Sequence, residues 1–267
     1  MANKKEPNSN MKLAGLFLAL VLGLIVISIF LKLIFVLNSS KFDGVHRFTV
    51  GFISENKVKV VSFSPQSRAI AILKIAGYKK NENLSDLILY PVDALVHTDN
   101  QSLDKKDVSS MLTKSLLSIN NPDSNLTSFD NLKLLLFAKR ISSDSIFETN
   151  FSPNLSSQEK SYIFTNYFQD NAINQENTTI EIINAASSFG LGGKLAALIT
   201  NIGGNVVLLS TSDNEQVSSK IVYSMPKNYT LKKFSSFLGI PMEKTDVKGV
   251  ADMTIIIGKD SLRNLKF

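Results

Sequence analysis

The segment best suited to bind a ligand follows a β-rich run near residue 180. Asn184 ends that run, and the residues FGLGGK (189–194) lead from it into a helix. A helix N-terminus favours anions because its N–H groups are unpaired and its dipole is positive there. We therefore expect a weak ligand-binding site at Asn184, Gly190, Gly192, Gly193 and Lys194. The segment fits neither a Walker A loop nor G-x-G-x-x-G, and close packing of the helix on the strand would explain the glycines without a ligand.

The other residue types leave little for catalysis or metal binding. The chain has no cysteine, which removes thiolate metal sites and cysteine nucleophiles, and its two histidines, His46 and His97, are far apart. Asp104 and Asp107 have no histidine nearby and no metal-ligand spacing. Four arginines are few for a bidentate clamp on pyrophosphate. We expect no catalytic residue, no metal ion and no cofactor.

The positive charge of the chain is concentrated near its start. The formal net charge is +6 for 267 residues, and residues 1–41 hold five lysines and one glutamate. The remainder carries 24 basic and 22 acidic residues. Because the excess flanks an apolar segment rather than forming a basic face, we expect no nucleic-acid partner.

That apolar segment, residues 13–37, predicts a transmembrane helix. It contains 25 residues with Lys32 as the only charge, or roughly 37 Å of helix against about 30 Å of hydrocarbon. A cleavable signal peptide would have a shorter apolar region and a small-x-small site after it, and a buried helix of a soluble protein would not need an apolar surface all round. The pattern favours an uncleaved signal anchor.

The charges around this segment predict its orientation. Lys4, Lys5 and Lys12 precede it in a short polar tail, residues 1–12. By the positive-inside rule this tail lies in the cytoplasm, so the protein is a single-pass membrane protein whose C-terminal part is extracytoplasmic.

Residues 42–170 read as a mixed region that begins with strands. Three β-rich runs, residues 47–53, 57–64 and 69–75, are separated by short turns and predict an antiparallel meander. Helical stripes follow over 107–119, from about Ser128 to 137, and over 157–168. The polar run 169–177 predicts a domain boundary.

The last ninety residues alternate between strands and helices. Strands are expected at 179–184, 205–210, 220–224 and 252–257. Helices are expected at 191–202, stopped by Gly203 and Gly204, and after Thr230 as a cap, ended by Gly239. The order βαββαβ is typical of a small α+β sandwich.

This last region resembles the LytR C-terminal domain. Residues 180–186 (IEIINAA) and 190–196 (GLGGKLA) are similar to the opening of that family, "IEVLNGT…GLAxxxAxxL". Tyr223 in a strand and Gly258-Lys259-Asp260 at the end also match, and the resemblance covers about residues 178–261. The chain departs from the family at Ala185-Ala186, where the family has Gly-Thr.

The preceding region weakly resembles a degenerate LytR-CpsA-Psr domain, the catalytic partner of this module in many bacterial envelope proteins. Residues 60–65 (VVSFSP) are similar to the family's paired strands. Where active members carry Arg-Asp after the third strand, this chain has residues 75–78 (IAGY), and the upstream acidic and arginine residues are also missing. The resemblance implies a polyprenyl-pyrophosphate and magnesium site in active members and its loss here.

The expected fold class is therefore α+β: an N-terminal single transmembrane helix, a degenerate α/β LytR-CpsA-Psr-like domain over 42–170, and a small C-terminal βαββαβ domain over 178–267. Together these features predict a bacterial cell-envelope protein with a non-catalytic extracytoplasmic part that binds or scaffolds at the cell wall. Its partners would be the membrane and peptidoglycan or a wall glycopolymer. The alternatives are a phosphotransferase that attaches glycopolymers to peptidoglycan, and an assembly partner of other envelope proteins in a membrane complex.

Overall fold

A computed structural model describes residues 9–55, 57–79, 82–99, 103, 107–117 and 124–261. The chain divides into two compact units, Met1–Lys41 and Phe42–Phe267. Several predicted features lie outside the described residues. These are Lys4 and Lys5 of the predicted tail, Asp104, residues 118–119 of the helix predicted over 107–119, and the last six residues of the predicted C-terminal domain.

The first unit contains one long helix, α1, over Ser9–Asn38. Within it, Leu13–Lys32 is long and apolar enough to cross a membrane, and none of this stretch is buried against protein. Such a surface is stable in hydrocarbon and costly in water, because every turn presents leucine, isoleucine, valine or phenylalanine on all sides.

The second unit begins with a five-stranded sheet in the order β4-β1-β2-β3-β5. Strands β1 (Phe48–Ile53), β2 (Val58–Ser64) and β3 (Ala69–Ile75) form the predicted antiparallel meander. Two parallel edge strands, β4 (Ala94–His97) and β5 (Ile146–Phe151), complete it. Strand β5 was not expected, because its sequence, IFETNF, lacks apolar alternation.

Helices cover both faces of this first sheet, which is why β1 is buried throughout. On one face α3 (Val108–Leu117) and α4 (Ser128–Ala138) pack through Leu112 and Leu134. The other face carries α2 (Leu84–Ile88), α5 (Ser157–Ile163, continued by a π-helical turn at Phe164–Phe168) and α6 (Asn171–Glu176). Helix α6 occupies the run predicted as a domain boundary, and its Ala172 and Ile173 are buried.

The second sheet has the order β7-β6-β10-β8-β9. Its strands are β6 (Thr179–Asn184), β7 (Asn205–Thr211), β8 (Lys220–Tyr223), β9 (Met242–Lys244) and β10 (Met253–Ile257). Helices α7 (Leu191–Asn201) and α8 (Tyr229–Leu238) connect them. The predicted mixed α+β class is confirmed. The predicted order βαββαβ lacks the short strand β9. Its sequence could not indicate a strand, because it has only three residues and two of them are charged.

The two sheets share one hydrophobic core. A single cluster joins Val60 and Leu73 of the first sheet to Ile182 and Ile255 of the second, with Leu198 of α7 in the same cluster. Alternate residues of β6 and β10 point into this core, and the others lie on a partly exposed outer face. The two halves of Phe42–Phe267 are therefore joined by apolar packing rather than by a linker.

The helix ends of the second half follow capping rules with one correction. Gly239 ends α8 in the left-handed conformation, as expected, and Gly203 has φ +104 after α7. Thr230 was expected to cap α8, but Asn228 does so by accepting from the Leu231 N–H. Thr230 instead lies buried in the first turn.

Candidate functional site

The predicted ligand loop connects β6 to α7, and its first member, Asn184, stabilises the loop itself. The Asn184 amide donates to the Ser188 carbonyl at 2.8 Å, and its oxygen accepts from the Ala186 N–H at 3.2 Å. Ser187, between these contacts, has φ +55. The amide therefore holds a tight turn, and its hydrogen-bonding groups face the chain's own backbone.

The three glycines of the loop have different structural roles. Gly190 occupies the N-cap position of α7 with φ +81, a conformation that favours glycine. Gly192 is buried, and a Cβ there would lie 2.9 Å from Leu209 Cδ1 and 3.4 Å from Asn184 Cβ. Gly193 faces open space. Close approach of the helix to β6 and β7 accounts for Gly192.

Lys194 forms an ion pair with the first half of the unit. Its Nζ lies 2.8 Å from Asp86 Oδ1 in α2, and both side chains are substantially exposed. An exposed pair of this kind contributes little to stability and can be exchanged for another anion. Lys194 is thus a predicted site residue whose charged side-chain group is accessible to a ligand.

The loops at the carboxyl ends of β6, β7 and β10 are linked to one another near this site. Ser187 Oγ donates to Glu215, and Glu215 pairs with Lys259. These contacts lower the pKa of Glu215, the hydrogen bond from Lys259 being the main cause. The carboxyl ends of parallel strands are where α/β sheets usually bind ligands, so the predicted site lies at the expected edge of its sheet.

A second polar group of residues, the Arg47 junction, was not anticipated from the sequence. Arg47, just before β1, donates from Nη1 to Ser62 Oγ at 2.9 Å and to the Tyr167 carbonyl at 3.1 Å. Its Nε is buried and has no hydrogen-bond partner among the described residues. Burial lowers the pKa of the Arg47 guanidinium, while nearby Tyr90 and Asp170 act in the opposite direction.

Asp170 and Tyr229 continue this junction into the second half of the unit. The Tyr229 hydroxyl donates to Asp170 Oδ2 at 2.8 Å, and the fully buried Asp170 also caps α6 by accepting from the Ala172 N–H. Burial and the neighbouring Asp170 raise the pKa of the Tyr229 hydroxyl far above its usual range. The hydroxyl is therefore a hydrogen-bond donor at every physiological pH.

His46 packs against the face of the Tyr229 ring. The two rings stack with centroids 3.7 Å apart and an interplanar angle of 10°. His46 Nδ1 also contacts Asp43 Oδ2 at 2.5 Å. Although burial acts to raise it, the hydrogen bonds from His46 and Val45 hold the pKa of Asp43 below its usual range. His97, the other histidine, is exposed at the end of β4.

The acids of the junction cap a helix or accept hydrogen bonds from neighbouring groups. No group of three or more His, Cys, Asp or Glu that could hold a metal ion occurs within the described residues. Ala76 and Gly77, which follow β3, form an exposed bend with Gly77 at φ +78. Sequence reasoning missed the junction because its members are spread over more than 180 residues with no local motif.

Residues 177–260 match the family model described as LytR cell envelope-related transcriptional attenuator. This part of the chain is a LytR C-terminal domain. The match covers β6 to β10 and confirms the resemblance inferred from residues 180–196. No curated protein matches the chain.

Two solved structures from Listeria align with most of the chain. One is an X-ray structure of a protein from Listeria innocua, with 12% identity over 72% of this chain and 96% of its own, at a TM-score of 0.19. The other is a crystal structure of a protein from Listeria monocytogenes proposed to be a transcriptional factor, with 11% identity over 71% and 94% and a TM-score of 0.19. At these TM-scores neither alignment informs on function.

Proposed function

We propose that this protein is a single-pass, membrane-anchored cell-envelope protein whose extracytoplasmic part binds or scaffolds at the cell wall without catalysis. The LytR C-terminal domain at residues 177–260 is the observation that carries this proposal, since its family is described as cell envelope-related. Helix α1, with its unburied apolar stretch Leu13–Lys32, supports membrane anchoring with the short basic tail in the cytoplasm.

The arrangement of the candidate site supports binding rather than turnover. Lys194 is an accessible cation beside the N-terminus of an 11-residue helix, at the carboxyl edge of parallel strands. Wall glycopolymers that carry phosphate or carboxylate groups suit such a position, because an exposed lysine and helix N–H groups bind anions. In the free protein Asp86 forms an ion pair with Lys194, and an anionic group of the polymer would displace Asp86 from it.

Sedimentation of the full-length protein with peptidoglycan sacculi tests this proposal. The protein would be held in detergent micelles and mixed with native sacculi or with sacculi stripped of their anionic polymers. We expect saturable pelleting with native sacculi and weaker pelleting with stripped ones. Absence of pelleting with both preparations would contradict wall binding.

Point variants of the intact chain locate the site. Lys194→Gln should weaken pelleting, whereas Asp86→Asn should strengthen it, because it frees the Lys194 ammonium. Lys232→Gln is a matched control, since Lys232 is an exposed lysine on α8 in the same domain. Equal effects of Lys194→Gln and Lys232→Gln would place the site elsewhere. A truncation before residue 178 is unsuitable, because the two sheets share a core.

A transferase would give a different result. If the protein attaches glycopolymers to peptidoglycan, incubation with a polyprenyl-pyrophosphate-linked glycan and sacculi would leave glycan covalently bound after boiling in detergent. The turn at Ala76 and Gly77, which lacks the arginine and aspartate of active members, favours no incorporation.

A further inference from the structure

Strand β7 is an edge strand with an unusual surface. It pairs with β6 on one side, and no strand among the described residues pairs with its other side. Val207, Leu208 and Leu209 are consecutive and are 47%, 37% and 47% exposed. Leu208 lies level with Glu181 on the outer face, and Leu209 lies level with Ile182 on the core face. Both sides of this edge are therefore apolar.

The edge also lacks the charges that usually prevent strand pairing. None of the seven residues of β7 is charged. The opposite edge of the same sheet, β9, has three residues of which Glu243 and Lys244 are charged. Natural proteins protect exposed edges with charged side chains, short strands or bulges, and uncharged apolar edges pair readily. A bulge at Val207 is the one such device in β7, and it leaves Leu208–Thr211 in unbroken register with β6.

The sequence of β7 is partly symmetric about Leu208. Its nearest neighbours are the apolar Val207 and Leu209, the next are Val206 and Ser210, and the ends are the polar Asn205 and Thr211. Antiparallel pairing of two copies about Leu208 would place Leu208 against Leu208 and the bulged Val207 beside Leu209, with Val206 opposite Ser210. Apolar pairs of this kind stabilise neighbouring strands, and no like charges would meet.

We propose that β7 is a homodimerisation edge, where two copies of this chain join their second sheets by antiparallel pairing centred on Leu208. A single strand buries less than the about 800 Å² per partner of a typical stable interface. Pairing therefore needs a high local concentration, which two copies anchored in one membrane would supply. In this respect the inference rests on the proposed membrane anchoring.

Cross-linking through single cysteines tests the pairing directly, because the chain has no cysteine of its own. Full-length protein carrying Leu208→Cys would be oxidised in native membranes. We expect a disulfide-linked homodimer about tenfold more abundant than with Glu243→Cys, at the opposite sheet edge, or Val250→Cys, in an exposed loop. Adding Val207→Lys to Leu208→Cys should reduce the dimer to the control level, because it places a charge in the apolar edge.

Each outcome has one interpretation. Equal yields from Leu208→Cys and the two controls would overturn the pairing, and so would a cross-link from Leu208→Cys to a different protein. Membrane fractionation of the same samples separates this failure from a failure of anchoring. Protein that sediments with membranes but does not cross-link contradicts the dimer alone, whereas protein in the soluble fraction contradicts the anchor.

Discussion

At the residue scale, glycines of the second half differ in what surrounds them. A Cβ on Gly258 would lie 2.6–2.9 Å from backbone atoms of Ser218, which cannot move without displacing a loop. A Cβ on Gly192 would meet the end of the partly exposed Leu209 side chain, which has room to turn. These contacts, and not the glycine motif, determine which position tolerates a larger residue.

We expect Gly258→Ala to lower the free energy of unfolding by about 1–3 kcal/mol, the usual cost of overpacking. Gly192→Ala should change it by less than about 1 kcal/mol, because alanine is favoured over glycine in a helix by a similar amount. Urea denaturation of both variants in detergent micelles measures the difference. A larger loss from Gly192→Ala would show that Leu209 is held rigidly.

The sequence and the structure agree best on residues that act locally. Gly239 and Asn184 lie at a helix end and a strand end in both, since each depends on neighbours within a few positions. The Arg47 junction could not be predicted, because Arg47, Asp170 and Tyr229 meet only after two sheets have packed together. Lys194 was predicted as a ligand residue, but its pairing with Asp86, over 100 residues away, was not visible.

At the element scale, the first turn of helix α8 is capped by a residue of another helix in addition to Asn228. Glu176, at the end of α6, accepts hydrogen bonds from the N–H groups of Tyr229 and Thr230 and from the Thr230 hydroxyl. Burial acts to raise the pKa of Glu176, but the bonds from Thr230 and Tyr229 lower it below its ordinary value of 4.5. A carboxylate with a lowered pKa stabilises the fold when ionised.

We therefore expect Glu176→Gln to destabilise the protein by about 1 kcal/mol at pH 7, the usual cost of losing a helix cap. The wild type should be less stable as the pH falls below 4.5, where this carboxylate is protonated first in the unfolded chain and then in the folded one. The difference between wild type and Glu176→Gln should shrink over the same pH interval. Denaturation at a series of pH values checks this, and a constant difference would contradict the role of the charge.

The Lys233–Asp93 and Lys194–Asp86 ion pairs both join the halves of the second unit, and they should differ in strength. Lys233 Nζ lies 2.6 Å from Asp93 Oδ1, and these side chains are only 14% and 16% exposed. The Lys194–Asp86 pair is far more exposed. A double-mutant cycle with Lys233→Met and Asp93→Asn should give a coupling energy of about 1–3 kcal/mol, and the matching cycle at Lys194 and Asp86 less than about 1 kcal/mol. Equal couplings would show that burial does not determine the strength here.

Most elements of the fold could be predicted, and strand β5 and helix α6, which were missed, share a cause. Strands β1–β3, β6–β8 and β10 and helices α3, α4, α5, α7 and α8 carry apolar periodicity that the local sequence shows. Strand β5 and helix α6 are polar on most of their surface and are ordered by what they pack against. Local sequence therefore predicts elements that have an apolar face of their own. It does not predict mostly polar elements whose position depends on the elements they pack against.

At the scale of the whole molecule, the shared core predicts that Phe42–Phe267 unfolds as one unit. Buried cysteines introduced by Val60→Cys in the first sheet and Ile182→Cys in the second would report on each half. We expect both thiols to become reactive at the same urea concentration, because their clusters are continuous. Two separate midpoints would indicate that the LytR C-terminal domain unfolds independently, as a linker at residues 169–177 would allow.

The entry point of the chain into this unit has a mechanical consequence. Phe42, the first residue of the unit, is buried, with its N–H donating to Asp130 and its carbonyl accepting from Lys133 of α4. Strand β1 follows six residues later and lies between β4 and β2. A pull on the chain at Phe42 would load the Phe42 bonds first and then the hydrogen bonds on both sides of β1. Because β1 is held by a neighbour on each side, it could not be peeled away as an edge strand can, and two rows of hydrogen bonds would share the tension.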